Sequence, residues 1–254
     1  MISTLKIDKL EVTIYETPVD LGKAAADFVQ RKLSDAIAEK GNANMILATG
    51  ASQFKFLEAL KEKDIEWQKI TVFHLDEYKN ISDSHPASFR KYLKDRILNA
   101  VKPKKIYFLN GDADDVETEM NHYSEALINH PIDIACIGIG ENGHIAFNDP
   151  PVADFDDPKL VKLVNLDNAC RNQQLGEGWF PTFEDVPKQA LTLTITAIMD
   201  CKAISCVVPD ERKAEAIYNT LYHTISTGCP ATILRNHNET RLFLDSASAS
   251  KLGK

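Results

Sequence analysis

Residues Ile132 to Pro150 read IDIACIGIGENGHIAFNDP. The first part, Ile132 to Ile139, is an apolar run interrupted only by Asp133, of strand length and bounded by glycine. A strand apolar at successive positions is buried on both faces, as the strands of a parallel sheet are. The second part is a glycine-dense turn carrying one histidine among acid and amide side chains. Directly after a buried strand, such a turn stands where open α/β sheets collect their ligand-binding groups.

The same pattern recurs on either side. Asn44 to Ala48, Ile70 to Leu75, Ile106 to Leu109, Ala203 to Val208, Ala231 to Leu234 and Leu242 to Leu244 read as further buried strands. Between them lie helix-period segments. In Leu21 to Glu39, the residues Leu21, Ala25, Phe28, Val29, Leu33 and Ile37 fall on one helical face. Phe54 to Lys63, Ala87 to Val101, Val116 to Ile128 and Arg212 to Tyr222 behave alike. Strands alternating with helices predict an α/β fold with a mostly parallel sheet and helices on both faces. No repeat or linker divides the chain, so residues 1–254 are expected to form a single domain. Residues 150–188 break the rhythm with five prolines and the acidic cluster Asp154, Asp156 and Asp157. That composition fits a functional cover or lid and, equally, a surface excursion with a short helix.

Composition narrows the function. At 254 residues the chain can bury a large core without metal or disulfide staples. Its formal charge of −8 argues against nucleic acid as a partner. A small anionic ligand stays open, because a few local cations and backbone amides suffice for it. The five cysteines form no close CxxC pair, which points to a reducing, cytoplasmic setting. Met1 to Leu10 lacks the apolar core of a signal peptide, and no run is long enough to span a membrane.

Four strand ends carry chemistry. Thr49-Gly50-Ala51-Ser52 follows one strand and opens a helix, so its amides could hold an anion, or Ser52 could simply cap the helix. Asp76-Glu77-Tyr78 follows the next. Adjacent carboxylates diverge there, so at most one faces a ligand, as a general base or merely as a cap or solvated charge. In the glycine turn His144 can be steered by Asp149 or Glu141, an arrangement suited to proton transfer near neutral pH. Val208 to Lys213 ends in Arg212 and Lys213, either of which can meet a phosphate. No metal-ligand cluster and no GxSxG stands out, so no metal site is expected and a serine-hydrolase reading is weakened. The set suits acid/base work on a small phosphorylated substrate.

These residues resemble the glucosamine-6-phosphate deaminase/isomerase family. Gly138 to Pro150 is similar to its G-x-G-x-[DN]-G-H-I-[AG]-F-N-E-P signature, and Leu47 to Ser52 to its L-P-T-G-x-[ST] loop. Phe73 to Tyr78 resembles F-N-[ML]-D-E-Y, His85 to Phe89 resembles H-P-x-S-[YF], and Val186 to Thr192 also fits. The resemblance runs from about Leu21 to Leu244. It implies a Rossmann-like sheet and conversion of an amino-sugar 6-phosphate to the ketose 6-phosphate plus ammonia, without a cofactor. It further implies that Asp76 moves a proton between C2 and C1, and that His144 assists ring opening with Asp149 as its acidic partner. By the same resemblance Asn142 and Glu141 stand beside them, Thr49, Gly50, Ala51 and Ser52 hold the substrate, and Lys213 binds phosphate.

The chain also departs from the family pattern. Asp149 replaces glutamate, one methylene shorter, which sets its carboxylate back from His144. Asn142 can orient His144 but cannot take a proton, which leaves carboxylate work to Glu141 or Asp149. Ala48 replaces a proline, and the nearest counterpart of a phosphate-clamping arginine is Arg171, beside Gln173 and Gln174. The segment after Pro150 lacks the family's activator-site residues. Glucosamine 6-phosphate is the expected substrate, with the galactosamine epimer as the other candidate. A 6-phosphogluconolactonase and a non-catalytic sugar-phosphate-binding regulator are the alternatives. A homo-oligomer is left open.

Overall fold

The computed structural model describes residues 1–176 and 178–253. Eleven strands among these residues form two sheets: β1 (Ser3–Ile7), β2 (Leu10–Tyr15), β3 (Ala43–Leu47), β4 (Ile70–His74), β5 (Asp76–Tyr78), β6 (Lys105–Ile106), β7 (Ile134–Ile137), β8 (Val161–Asn165), β9 (Gln189–Leu193), β10 (Ile204–Val208) and β11 (Thr240–Asp245). The main sheet has the order β1-β2-β11-β10-β7-β3-β4-β6 and is parallel except for the β1 edge. The second sheet, β5-β9-β8, is antiparallel.

Two apolar layers cover the main sheet. Alternate strand residues point to opposite faces, so Met45, Leu47, Cys136 and Val207 pack on one side and Ile46, Ile137, Cys206 and Val208 on the other. Against the first layer lie α1 (Pro18–Lys40) and α2 (Phe54–Lys61). The run α3 (Phe89–Leu93), a π turn at Lys94–Leu98 and α4 (Asn99–Val101) joins them there. Helix α5 (Val116–Asn129) packs on the opposite face. Helix α1 starts where Thr17 accepts the Asp20 amide ahead of Pro18, and stops at Gly41 with φ 80°.

Described residues of the 150–188 segment enter regular elements and the core. It contributes β8 and α6 (Asn168–Gly176). Its Val164, Leu166, Cys170, Phe180 and Val186 form a third apolar cluster with Tyr78, Phe89 and Phe147. The chain then returns through β9, α7 (Ile195–Met199), β10 and α8 (Ala214–Tyr222), the last in the same apolar layer as α5.

One predicted strand is corrected. Ala231 to Leu234 lies in a 3-10 turn, Pro230–Asn236, headed by a proline that favours a helical start. Its apolar residues still enter the core, so burial there gave no information about strand pairing. Topology places the site. From β3 the strands proceed to β4 and β6 in one direction, and from β7 to β10 and β11 in the other. The order reverses between β3 and β7, and the crevice outside their carboxyl ends is where such sheets bind ligands.

Candidate active site

A cleft of about 170 Å³ opens at that reversal. It is lined by the Thr49–Ser52 loop, by Leu75 and Asp76, by Gly138, Gly140 and His144 of the glycine turn, and by Asp210, Arg212 and Lys213.

Asp76 owes its position to the seam between the sheets. The chain leaves β4, the Leu75 carbonyl accepts the Leu193 amide, and Asp76 pairs with Thr192 in the second sheet. Strand alternation then sends Asp76 and Glu77 apart. Glu77 is 0% exposed and holds α3: its carboxylate accepts from Ser88 Oγ (2.8 Å), the amides of Phe89 and Arg90, and Arg90 Nε (3.2 Å). Asp76 lines the cleft and is 7% exposed. Burial, reinforced by the neighbouring Glu77, pushes its carboxyl up from 3.8 to about 8.

His144, which lines the same cleft, is held as a directed imidazole. The His144 amide donates to Asn142 Oδ1 (3.0 Å) and Asn142 Nδ2 donates to Asp149 Oδ1 (2.8 Å), which fixes the Asn142 amide. The ring Nδ1 then donates, lying 2.8 Å from Asn142 Oδ1 and 2.9 Å from Asp149 Oδ1, and Nε2 is left as the acceptor. The shorter Asp149 side chain therefore does reach His144, contrary to expectation. A tight turn with Ala146 at φ 53°, closed by Asn148 Nδ2 on the carbonyls of Ile145 and Leu193, brings it there. Burial alone would raise the Asp149 carboxyl, but hydrogen bonds from His144, Asn142 and the Cys170 thiol outweigh it and hold the group below its usual value. The imidazole lies against Gly140, where any Cβ would overlap the ring, and Gly143 turns the loop at φ 84° against Cys229.

Two expected site residues sit elsewhere. Arg171 does not line the cleft: its guanidinium donates to the carbonyls of Phe183 (2.6 Å) and Val186 (3.0 Å) and stacks on the Phe183 ring. It ties α6 to the following loop. Glu141 lies at the rim rather than beside His144, with its carboxylate 3.7 Å from Arg212 and 3.8 Å from Lys213. Lys213 is buried in the wall and Arg212 lines it, half exposed and paired with Asp210 at 2.9 Å. Asp210 adopts φ 90° at this turn, its amide donating to the Asp245 carboxylate. The caps of the Ala51–Gln53 turn and of α2 are Gly50 and Gln53, neither with a side-chain cap bond, so Ser52 does not hold the capping position. Its hydroxyl meets Gln53 Nε2 instead, at 3.1 Å. Gln173 and Gln174 also line the cleft. Local charge patterns favoured Arg171 over them, and only the helix rotation tells them apart.

One cleft thus brings together the cations Arg212 and Lys213, a glycine-containing loop at a helix start, a buried carboxyl and an oriented imidazole, groups that suit an anion and proton transfer. A family model described as glucosamine-6-phosphate isomerases/6-phosphogluconolactonase matches residues 16–243. The chain belongs to that family. Within the family, it is 34% identical over 243 residues to a glucosamine-6-phosphate deaminase of Streptococcus suis, covering 96% of this chain and 100% of the relative. A glucosamine-6-phosphate deaminase of Streptococcus pneumoniae is 33% identical over 245 residues, with the same coverage. The solved structure of a monomeric glucosamine-6-phosphate deaminase of the same superfamily superposes with a TM-score of 0.84 at 31% identity, covering 94% of this chain and 98% of that one. A 6-phosphogluconolactonase from Shewanella baltica shares the fold, with a TM-score of 0.76 at 19% identity over 92% of this chain and 96% of that one. No helix among the described residues is long and apolar enough to cross a membrane.

Proposed function

We propose that the protein is a hexosamine-6-phosphate deaminase, acting on glucosamine 6-phosphate, or on the galactosamine epimer, to give the ketose 6-phosphate and ammonia. The observation that carries this reading is that Asp76, a buried carboxyl pushed up to about 8 by burial, and His144, an imidazole oriented by Asn142 and Asp149, line one cleft. Taking a hydrogen from carbon calls for a base of about that strength, shielded from water.

The phosphate of the sugar lies between Lys213, Arg212 and the Thr49–Ser52 amides, and its reducing end meets Asp76 and His144. His144 Nε2 takes the proton of the C1 hydroxyl and returns one to the ring oxygen, opening the ring. The substrate ammonium, arriving beside Asp76, favours the carboxylate form of that residue. Asp76 then removes the C2 proton and delivers it to C1, leaving a ketimine at C2. Water adds to the ketimine and ammonia leaves, so one water is consumed for each ammonia released.

The deaminase names of the streptococcal relatives support the same reaction. Lactone hydrolysis has no carbon-bound proton to move and would leave Asp76 without a task. The five cysteines are buried free thiols, which supports a reducing, cytoplasmic setting. The test is incubation with glucosamine 6-phosphate, galactosamine 6-phosphate and 6-phosphogluconolactone in parallel. Ammonia and ketose phosphate are expected in equal amounts from at least one amino sugar. Hydrolysis of the lactone without ammonia from either sugar overturns the assignment, as does sugar-phosphate binding with no turnover.

A further inference from the structure

Gln174 stands one helical turn beyond Cys170 on α6, so the two side chains share a flank. On that flank the Cys170 thiol donates to Asp149 and Gln174 forms part of the cleft wall, 7% exposed. Gln174 Oε1 accepts the hydroxyl of Tyr78 at 2.7 Å. Tyr78 is fully buried and lies two residues beyond Asp76 on β5, on the same strand face. The strand that carries the base thus also fixes the rotation of the Gln174 amide. With its oxygen turned to Tyr78, that amide directs Nε2, a donor with two N–H groups, the other way.

Helix α6 cannot readily swing this group away. Arg171 binds the carbonyls of Phe183 and Val186, and Gln173 Oε1 accepts the Glu141 amide at 3.2 Å. Gln174 Nε2 is not among the buried polar atoms left without a partner in the described residues, which fits a nitrogen that meets the open space of the cleft. A donor fixed beforehand also loses little freedom when a ligand arrives.

We propose that Gln174 is a substrate-binding residue that donates from Nε2 to an acceptor oxygen of the bound amino-sugar phosphate, with Tyr78 as its positioning residue. The identity of the ligand rests on the deaminase reading; the contact itself does not need turnover. Both candidate acceptors, a phosphate oxygen and a ring hydroxyl, take the same donor. The cleft then carries a neutral amide where Arg171 was expected, and its cations are confined to Lys213 and Arg212 among the described residues.

The test compares wild type with Gln174→Glu and Tyr78→Phe. Gln174→Glu keeps the shape and the acceptor for Tyr78 but replaces the donor with an anion. Calorimetric binding of fructose 6-phosphate is expected to weaken about 10-fold or more in Gln174→Glu and about 3-fold in Tyr78→Phe, with KM for the amino sugars rising in step and kcat changing less. Parallel weakening of inorganic phosphate assigns the contact to the phosphate. Unchanged phosphate binding with a shifted preference between glucosamine and galactosamine 6-phosphate assigns it to a ring hydroxyl. A Gln174→Glu protein whose fructose 6-phosphate affinity matches wild type overturns the proposal. If wild type binds fructose 6-phosphate yet releases no ammonia, the deaminase reading falls while the affinity ratio still decides the role of Gln174.

Discussion

Replacing Asp76 by asparagine should stabilise the protein and abolish its activity, and the stabilisation should depend on pH. Burial and the nearby Glu77 raise the folded-state carboxyl to about 8, against 3.8 for the group when solvated. The folded protein therefore binds this proton more tightly than the unfolded chain does. Stability from the group is fully present below 3.8 and is lost progressively as pH rises through about 8. Asparagine does not titrate, so the variant gains on wild type over that window and the gain levels off above it. At about 1.4 kcal/mol per pH unit, the gain between pH 5 and pH 9 has a ceiling of about 4 kcal/mol, reduced by whatever water the open cleft admits. For a chain of this size each kcal/mol shifts Tm by about 2–4 °C. Thermal melts of both proteins at a series of pH values supply the comparison. A Tm difference that stays constant from pH 5 to pH 9 would refute the burial argument for Asp76. For the wild type, kcat/KM should climb with pH as Asp76 ionises, with a midpoint near 8 in the free enzyme.

Other substitutions separate the remaining roles. Asp149→Asn removes the anion that holds the His144 Nδ1 proton and should lower kcat about 100-fold with little change in KM, in steady-state assays of ammonia release; a kcat within about 3-fold of wild type would dismiss the pair. Lys213→Met removes a buried cation from the cleft and should raise KM about 10-fold or more while kcat holds, and an unchanged KM would take Lys213 out of the phosphate site. Glu77→Gln leaves the buried Arg90 guanidinium without a charged partner on that side and should cost roughly 3–5 kcal/mol in denaturant unfolding; a loss below about 1 kcal/mol would show that Glu77 is not the keystone of α3.

The central parallel strands β3, β4, β7, β10 and β11 were legible because strands buried on both faces leave continuous apolar runs, as Ile132 to Ile139 does. At one side of the sheet, β1 and β2 alternate with polar residues and were not read. The second sheet left no such trace. Its β5 is Asp-Glu-Tyr and its β8 is Val-Lys-Leu-Val-Asn, half-polar segments whose strand character comes from pairing with β9 rather than from their own composition. The Ala231 to Leu234 turn failed in the opposite sense, being apolar without a strand neighbour. At the site, glycine turns and strand ends marked His144, Asp76 and the Thr49–Ser52 loop, because backbone chemistry announces itself locally. The direction of a helical side chain does not. Arg171 and Gln174 differ by three positions on one short helix, and only the packing of α6 sends the guanidinium to Phe183 and the amide to the cleft. The reach of Asp149 was likewise a property of the Ala146 turn rather than of side-chain length.

The decisive step is the removal of the C2 hydrogen by Asp76. Glucosamine 6-phosphate carrying deuterium at C2, or its galactosamine epimer if that is the better substrate, is turned over and the ketose phosphate product analysed by mass spectrometry and NMR. Every ammonia released by the wild type should be matched by departure of deuterium from C2, to C1 or to solvent, and Asp76→Asn should do neither while still binding fructose 6-phosphate. Label loss and ammonia release by Asp76→Asn at near wild-type rates, or no label loss and no ammonia from the wild type, would contradict the role assigned to Asp76.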